Sequence, residues 1–373
     1  MNVETFVRTI GAEFYTGVPD SQLKPLCDYL MSAYGIDPRK HIIAANEGNC
    51  AALAAGYHLA TGKIPVVYLQ NSGEGNIINP AASLLSDEIY GIPIIFVIGW
   101  RGEPGIHDEP QHAYQGKVTV RLLEDMNIHP FIIGNETTDA ELWSAMEAAR
   151  PLLAKGKSVA FVVRKDALTC DFKPVYWNEY SVVREEAIRH IVTAAQRDII
   201  VSTTGKTSRE LYEIRDQIGQ SHQHDFLTVG SMGHSSSVAL GLAIHKPNAR
   251  VWCIDGDGAV LMHMGAVAVI GTSKQENLIH IVINNSAHES VGGMPTAAGS
   301  IDLPAVAHAC GYRSSISVNT LEQLDNELKH IKTAKGPSLI EIKCALGARS
   351  NLGRPVISAM ENKRIFMNYV SEI

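Results

Sequence analysis

The stretch VWCIDGDGAVLMHMGAVAVIGTSKQENLIHIVINNSAHESVGGMP, residues 251–295, decides how the chain is read. It opens on an apolar run that ends in Gly256-Asp257-Gly258, and Ala259 to Gly271 is of helix length. A second apolar run, Leu278 to Ile283, then delivers Asn284-Asn285 and a glycine-rich loop. Two such runs joined by a helical crossover predict parallel strands whose ends emerge on one sheet edge, where ligands of α/β folds bind. The glycines let backbone approach a phosphate, and Asp257 with an asparagine side-chain oxygen offers hard donors to Mg²⁺. A divalent cation held by so few carboxylates is usually shared with phosphate groups.

Working outward, strand-like and helix-like segments alternate along the whole chain, which predicts an α/β fold with two doubly wound, largely parallel sheets. In the first half the pattern predicts helices over Val3–Gly11, from Ser21 (as cap) to Tyr34, over Asn46–Ala60 and over Glu136–Leu153. Short strands are expected to end at Thr16 and to run over His41–Ala44, Ile64–Leu69, Ile92–Ile98 and Ser158–Val163. The second half restarts with a helix from Val183, a strand over Ile199–Ser202, a helix from Ser208, a strand over Phe226–Val229 and a helix over Ser236–Ile244. Leu321–Thr333 and Ser338–Ile342 close it as helix and strand. An aperiodic stretch, 167–180, carrying charges, a proline and aromatics, is expected to link a domain over 1–166 to one over 181–373.

Composition bounds the function. The net charge of −7 has both signs interspersed, so no broad basic surface points to nucleic acid. The N-terminal segment lacks the pattern of a signal peptide, and the longest apolar run, near Ile92–Trp100, is far too short to span a membrane. Six cysteines form no CxxC pair and several lie in apolar segments, which suits a reducing, cytoplasmic setting. Thr203-Thr204-Gly205-Lys206-Thr207 has the look of a phosphate loop but not its GxxxxGK[ST] spacing, and no GxGxxG follows the first strand of either half. Nucleotide-binding readings of both kinds are therefore set aside.

GDG, then residues 259–283, then NN resembles the signature of thiamine diphosphate-dependent enzymes. That resemblance implies that Asp257 and Asn285 bind Mg²⁺ through side chains and Ala287 through its carbonyl, with Gly256, Gly258, Ala259 and His288 around the cofactor. It implies a pyrimidine-binding domain followed by a diphosphate-binding domain of the same architecture, with no middle domain. It also implies a homodimer or higher oligomer whose cofactor lies between the first domain of one subunit and the second of another. The segment NEGNCAALAAGY resembles the family's E-x-x-A-x-x-x-A-x-G-Y pattern, which makes Glu47 the carboxylate set against N1′ of the aminopyrimidine ring to activate the cofactor. At a helix start, the dipole favours its charged form while burial opposes it. Gly230-Ser231-Met232-Gly233-His234 lies between a strand and a helix. Its backbone and Ser231 suit a diphosphate or pyrimidine contact, and the resemblance gives Met232 the role of apolar support under the cofactor.

The substrate end is read from three polar loops that follow strands of the first half: GVPDS (17–21), QNSGEGN (70–76) and WRGEPG (100–105), the last continuing through HDEPQH (107–112). Together with TTGKTSREL, GSMGH, NNSAHESVGG and the closing LGRP they resemble the phosphonopyruvate decarboxylases of that family, with sulfopyruvate decarboxylases as the neighbouring chemistry. A 2-oxo acid with a dianionic tail asks for cations, and the candidates are Arg101, Arg349, Arg354 and Lys206, with Asp20 and Asn71 as polar neighbours. His107, His112 and His288 are the candidates for handling a proton during turnover. At Glu74 that branch is expected to carry leucine; a carboxylate near a dianion is unfavourable unless it is turned away, neutralised or paired. A carboligase or a silent cofactor-binding paralogue are the rival readings, and intact Glu47, Asp257 and Asn285 speak against the second.

Overall fold

Strands buried on both faces of a sheet cannot alternate polar and apolar residues, and the central apolar runs obey this rule. In the computed structural model, which describes Met1–Ile373, Val66–Gln70, Ile95–Gly99 and Val159–Val163 are almost wholly buried. The chain divides into two units, Met1–Val175 and Tyr176–Ile373, with the division inside the stretch read as linker.

The first unit runs α1 (Val3–Ile10), β1 (Tyr15–Gly17), α2 (Lys24–Tyr34), β2 (His41–Ile43), α3 (Glu47–Thr61), β3 (Val66–Gln70) and α4 (Glu74–Pro80). It continues with β4 (Ile95–Gly99), α5 (Pro110–Asp125), β5 (His129–Ile133), α6 (Asp139–Leu153) and β6 (Val159–Val163). Its six strands are parallel in the order β2-β1-β3-β4-β6-β5.

The second unit runs α7 (Arg184–Ala195), β7 (Ile199–Ser202), α8 (Lys206–Gln217), β8 (Asp225–Leu227), α9 (Ser235–His245) and β9 (Val251–Gly256). Then come α10 (Asp257–Met262), α11 (Gly265–Ser273), β10 (Leu278–Asn284), a small hairpin of β11 (Ala287–His288) and β12 (Met294–Pro295), and α12 (Leu303–Cys310). It closes with β13 (Ser314–Val318), α13 (Leu321–Ile331), β14 (Ser338–Lys343) and α14 (Ala359–Glu372). Its sheet reads β8-β7-β9-β10-β14-β13, also parallel. Counted from the first strand of each unit, both sheets have the order 2-1-3-4-6-5. The order reverses between the first and third strands, and in such sheets that crevice, outside the carboxyl ends, is where ligands bind.

Local chemistry explains where the elements depart from expectation. Ser21 does not cap α2: the Asp20 carboxylate accepts from the N–H groups of Gln22 (3.0 Å) and Leu23 (3.2 Å), and the helix starts at Lys24. The expected single helix after GDG is two, α10 and α11, interrupted at His263-Met264. At that break the His263 ring lies 4.2 Å from the His234 ring and against Gly233, where a Cβ would come within 2.6 Å of it. β5 and β13 were not expected; as edge strands they are half exposed and carry no continuous apolar run. α14 was also unforeseen. Its Asn362 bonds the backbone of both Asp225 and Leu227, so it covers the edge strand β8 that would otherwise present open pairing groups.

α11 and α12 meet at Gly271, where a Cβ would overlap the Cys310 carbonyl. Gly271→Ala is therefore expected to lower unfolding free energy by about 2 kcal/mol, the usual range for overpacking. Gly241→Ala in α9, where a Cβ meets nothing within 4 Å, is expected to raise it by about 0.5–1 kcal/mol through helix propensity. Urea titration of both variants checks the pair.

Candidate active site

In the first unit the site is built on the start of α3. Asn46 caps the helix by accepting from the Gly48 N–H (2.7 Å), which sets Glu47 as its first residue. Glu47 is 4% exposed, and Asn76 of α4 donates its Nδ2 to Glu47 Oε2 at 2.6 Å. The other oxygen lies against Gly73: a Cβ there would overlap the carboxyl, so only glycine permits this approach. Burial raises the Glu47 carboxyl above its ordinary value, partly offset by the bond from Asn76. The result is a carboxyl group poised to share a proton with a nitrogen base.

The three polar loops are knitted to one another. Asp20 is fully buried, and besides its α2 contacts it accepts from Gln70 Nε2 (2.5 Å), bridging the ends of β1 and β3. Asn71 accepts from the Arg101 N–H (3.1 Å) and donates to the Arg101 carbonyl (2.8 Å) and Thr119 (2.9 Å). Arg101 grips Asp108 through Nε (2.7 Å) and Nη2 (2.5 Å) and reaches Ser21 through Nη1 (3.0 Å). Burial opposes ionisation of Asp108, but the Arg101 and backbone bonds outweigh it and hold the carboxyl well below the usual range. His107 is exposed on the same loop. His112 is buried with Nδ1 unpaired, and burial together with Arg101 lowers its pKa, so its ring is neutral.

Glu74 is 2% exposed, its Oε1 has no hydrogen-bond partner, and burial pushes its carboxyl up to about 9. At neutral pH it is an uncharged acid.

In the second unit β9 ends at Gly256, and Asp257, buried at the start of α10, accepts from Thr296 Oγ1 (2.5 Å). Burial pushes its carboxyl up to about 6, the Thr296 bond offsetting part of that cost. Asn284 is spent internally, donating to Glu341 (2.6 Å) and accepting from the Ser286 N–H (2.9 Å). Asn285 Oδ1 accepts only from the Ala287 N–H (3.1 Å), and Glu289 Oε2 accepts from its Nδ2 (2.8 Å). Ala287 sits opposite Pro295 in the β11–β12 hairpin at a non-hydrogen-bonded position, next to the Thr296 N–H to Ser286 carbonyl bond (2.9 Å), so its carbonyl is turned away from β12. A buried carboxylate met by a hydroxyl and backbone N–H groups but by no charged side chain, an amide oxygen with a lone pair to spare and a carbonyl turned away from its ladder form a set of hard oxygens, and they fit a divalent cation.

Around that set, Met232 and His288 converge on Gly258, where a Cβ would lie 3.3 Å from the Met232 methyl and 3.6 Å from the His288 ring. Ala259 is buried beside them. Gly230, Ser231 and Gly233 all have positive φ, and Thr204 Oγ1 accepts from the Gly230 N–H (3.1 Å), tying this loop to the end of β7. Burial lowers the His288 pKa to about 4, so its ring is neutral. Lys206 donates to Glu289 (2.8 Å). Arg349 is bound by Glu185 (2.9 Å) and Glu213, while Arg354 is exposed on the following loop. Asn76, Gly73, Thr296 and Glu289 were not singled out from sequence. Asn76 and Gly73 stood inside a quoted loop, but their contact with Glu47 exists only once α4 packs on α3.

A crevice with a buried cation set in one doubly wound unit and a buried activating carboxyl in another of the same topology defines a diphosphate cofactor-binding enzyme. Residues 3–123 match the thiamine pyrophosphate enzyme N-terminal TPP binding domain, and residues 203–342 match the C-terminal TPP binding domain. A phosphonopyruvate decarboxylase of Streptomyces viridochromogenes is 36% identical over 97% of this chain and 92% of its own length. One from Streptomyces hygroscopicus is 34% identical with the same coverage. A sulfopyruvate decarboxylase of Methanosarcina acetivorans is 30% identical over 90% of this chain and 88% of its own. The chain belongs to the thiamine pyrophosphate-dependent enzyme family, with thiamine diphosphate as its cofactor and Mg²⁺ as the accompanying cation.

Two outcomes are expected from the first unit. Gly73→Ala forces the Glu47 carboxyl aside, and turnover should fall at least tenfold, within the penalty known for misplaced groups, while circular dichroism is unchanged. Glu74 binds its proton up to about pH 9 when folded but only to the ordinary carboxyl value of 4.5 when unfolded. The folded state therefore holds the extra proton between those values, and stability falls as pH rises through that window, by up to ~1.4 kcal/mol per unit. Glu74→Gln removes this slope, so its stability advantage over the wild type should grow from pH 5 to pH 9 in urea titrations.

Proposed function

We propose that this chain is a homo-oligomeric, Mg²⁺- and thiamine diphosphate-dependent decarboxylase that converts 3-phosphonopyruvate to phosphonoacetaldehyde and CO₂, a step of phosphonate biosynthesis in the cytoplasm. The observation that carries the reading is the near full-length likeness to two phosphonopyruvate decarboxylases, joined to a buried Glu47 whose carboxyl is held for a ring nitrogen.

In this reading Glu47 holds the proton at N1′ of the aminopyrimidine, and Asn76 fixes which carboxyl oxygen faces the ring. Asp257, Asn285 and Ala287 hold the cation, and Gly230, Ser231, Gly256 and Gly258 give the diphosphate room and backbone donors. Met232 supports the cofactor from below. When bound, thiamine diphosphate supplies the electron sink that accepts the pair released as CO₂ departs.

Neutral His112 and His288 are each able to take a proton at the unprotonated ring nitrogen or give one from the other, and exposed His107 is the third candidate. Arg101 is the foremost cation for the phosphonate. Of five guanidinium N–H groups the bonds to Asp108 and Ser21 use three, which leaves two for an anion. Lys206, Arg349 and Arg354, with Asp20 and Asn71 shaping the loops, complete the candidate set. Uncharged Glu74 adds no repulsion towards a dianion, which removes the electrostatic objection to it at this position.

Association supports the oligomeric part of the reading. α3 and α4, which frame Glu47, expose Leu53 (40%), Leu59 (72%) and Ile78 (42%), and α9 and α11 expose Val238 and Val269. Helices apolar on every side belong under cover, and a second copy of the chain supplies it.

The test measures CO₂ release from phosphonopyruvate, sulfopyruvate and pyruvate with Mg²⁺ and thiamine diphosphate, for wild type and Glu47→Gln, with sedimentation of the same protein. Preference for phosphonopyruvate, with turnover down at least 100-fold in the variant, is the expected result. Preference for sulfopyruvate would move the assignment to the sulfonate enzymes, and a longer hydroxyketone product would replace the decarboxylase with a carboligase.

A further inference from the structure

We propose that Glu289 is the positioning residue of the cation site: its carboxylate decides which atom of the Asn285 amide faces the cation. The inference rests on the reading of Asp257, Asn285 and Ala287 as the cation's ligands.

An amide carries a donor and an acceptor of nearly equal size, and only its partners fix which way round it sits. Glu289 receives three donors: Arg184 Nη1 at 2.7 Å and Asn285 Nδ2 at 2.8 Å on Oε2, and Lys206 Nζ at 2.8 Å on Oε1. An ionised carboxylate has no hydrogen to give, so the atom of Asn285 that faces it must be the NH₂ group. The oxygen is then turned the other way, where the Ala287 N–H occupies one lone pair and the second is left for a cation.

Glu289 is itself held by a buried clamp. Arg184, 5% exposed at the start of α7, makes two bonds to Glu210 of α8, at 2.7 and 2.8 Å, and Glu210 is 1% exposed. Lys206 begins the same helix, so α8 contributes both Glu210 and the lysine. The backbone of Asn285 does not depend on this clamp, because Asn178 Nδ2 donates to its carbonyl at 2.9 Å. Removing the carboxylate therefore leaves the side chain held by the Ala287 N–H alone, a single 3.1 Å bond, while the loop stays tied down.

Glutamine at position 289 cannot replace glutamate. It offers one acceptor oxygen to three donors, and its own NH₂ must face one of them, a mismatch relieved by flipping Asn285.

The experiment titrates Mn²⁺ into the chain saturated with thiamine diphosphate and reads free Mn²⁺ by electron paramagnetic resonance. Glu289→Gln is expected to weaken Mn²⁺ about 10–100-fold, the usual effect of losing an outer-shell partner, with the circular dichroism of the metal-free protein unchanged at the temperature of the titration. The exchange variant Asn285→Asp/Glu289→Gln needs no control of amide orientation and lets the new amide donate to the new carboxylate, so it should recover most of the affinity. Lys206→Met/Glu289→Gln restores the charge balance but not the acceptor, and it should stay weak. Unchanged Mn²⁺ affinity in Glu289→Gln would overturn the proposal while leaving the cation site intact. Recovery in the lysine double variant would overturn it by assigning the loss to charge alone. Should Glu289→Gln fail to fold, comparison of Asn285→Asp with the exchange variant reads the same coupling, and equal affinities there would overturn it. A wild type that binds no Mn²⁺ with thiamine diphosphate present would instead sink the cation-site reading itself.

Discussion

The first unit depends on one costly contact, a carboxyl buried with no cation beside it. Glu47 is met by the amide of Asn76 and the bare backbone of Gly73, and neither carries charge. Taking an ion out of water costs several kcal/mol even after relaxation, and an opposite charge would be the ordinary remedy. Here the remedy is withheld, and the carboxyl is left with a raised proton affinity at the start of α3. The surroundings follow from that choice. β2 must end just before position 47, Asn46 must close the helix start, and the β3–α4 connection must bring a glycine and an asparagine to the two oxygens. A cation placed there would quiet the group and remove the property a cofactor ring needs.

The second unit meets the same problem with a different outcome. Asp257 is as buried as Glu47, and its contact is the hydroxyl of Thr296. The positive side chains nearby are committed elsewhere: Lys343 to Glu341 at 2.8 Å, Lys206 and Arg184 to Glu289. None of these cations is bonded to Asp257, which suits its proposed role as a ligand of a metal ion. The two units share one strand order but place these carboxyls differently, Glu47 after the second strand of its sheet and Asp257 after the third.

Much of this was legible in the sequence because it is local. The central strands are continuous apolar runs, the turn glycines follow them at once, and the pairing of GDG with NN needs only two neighbouring strands and a crossover. Edge strands β5 and β13 were not legible, since a half-exposed strand such as SSISV lacks an apolar run. α5 was hidden by Gly116 and its β-branched neighbours Val118, Thr119 and Val120, which lower helix propensity. Gly116 is required there by tertiary contact, as a Cβ would overlap the carbonyl of Gly102. Glu47 could be singled out because its segment resembles the family's E-x-x-A-x-x-x-A-x-G-Y pattern, a helix start alone being too common a place for a glutamate, but Asn76, Thr296 and Glu289 could not. Their roles arise between elements distant in sequence, and nothing in a short window distinguishes them from surface polar residues.

The candidate substrate cations carry the last step of the argument. Arg101 with Asp108, Lys206 with Glu289 and Arg349 with Glu185 and Glu213 are each paired within their own unit. Pairing does not remove a guanidinium from recognition; it fixes its plane and lowers the entropy lost when an anion arrives. In the proposed function it would also favour a dianionic tail. A monoanion such as pyruvate gains little from a cation already neutralised, whereas a doubly charged tail still draws on the N–H groups that Arg101 has left over. Glu74 fits the same logic. Its buried acid stays protonated, so the loop between β3 and α4 presents no second negative charge near Glu47. A carboxylate ionised there would push the proton affinity of the neighbouring Glu47 higher still and oppose the approach of a dianion. Burial of Glu74 without a partner is thus the physical condition under which this sequence departure and a dianionic substrate are compatible.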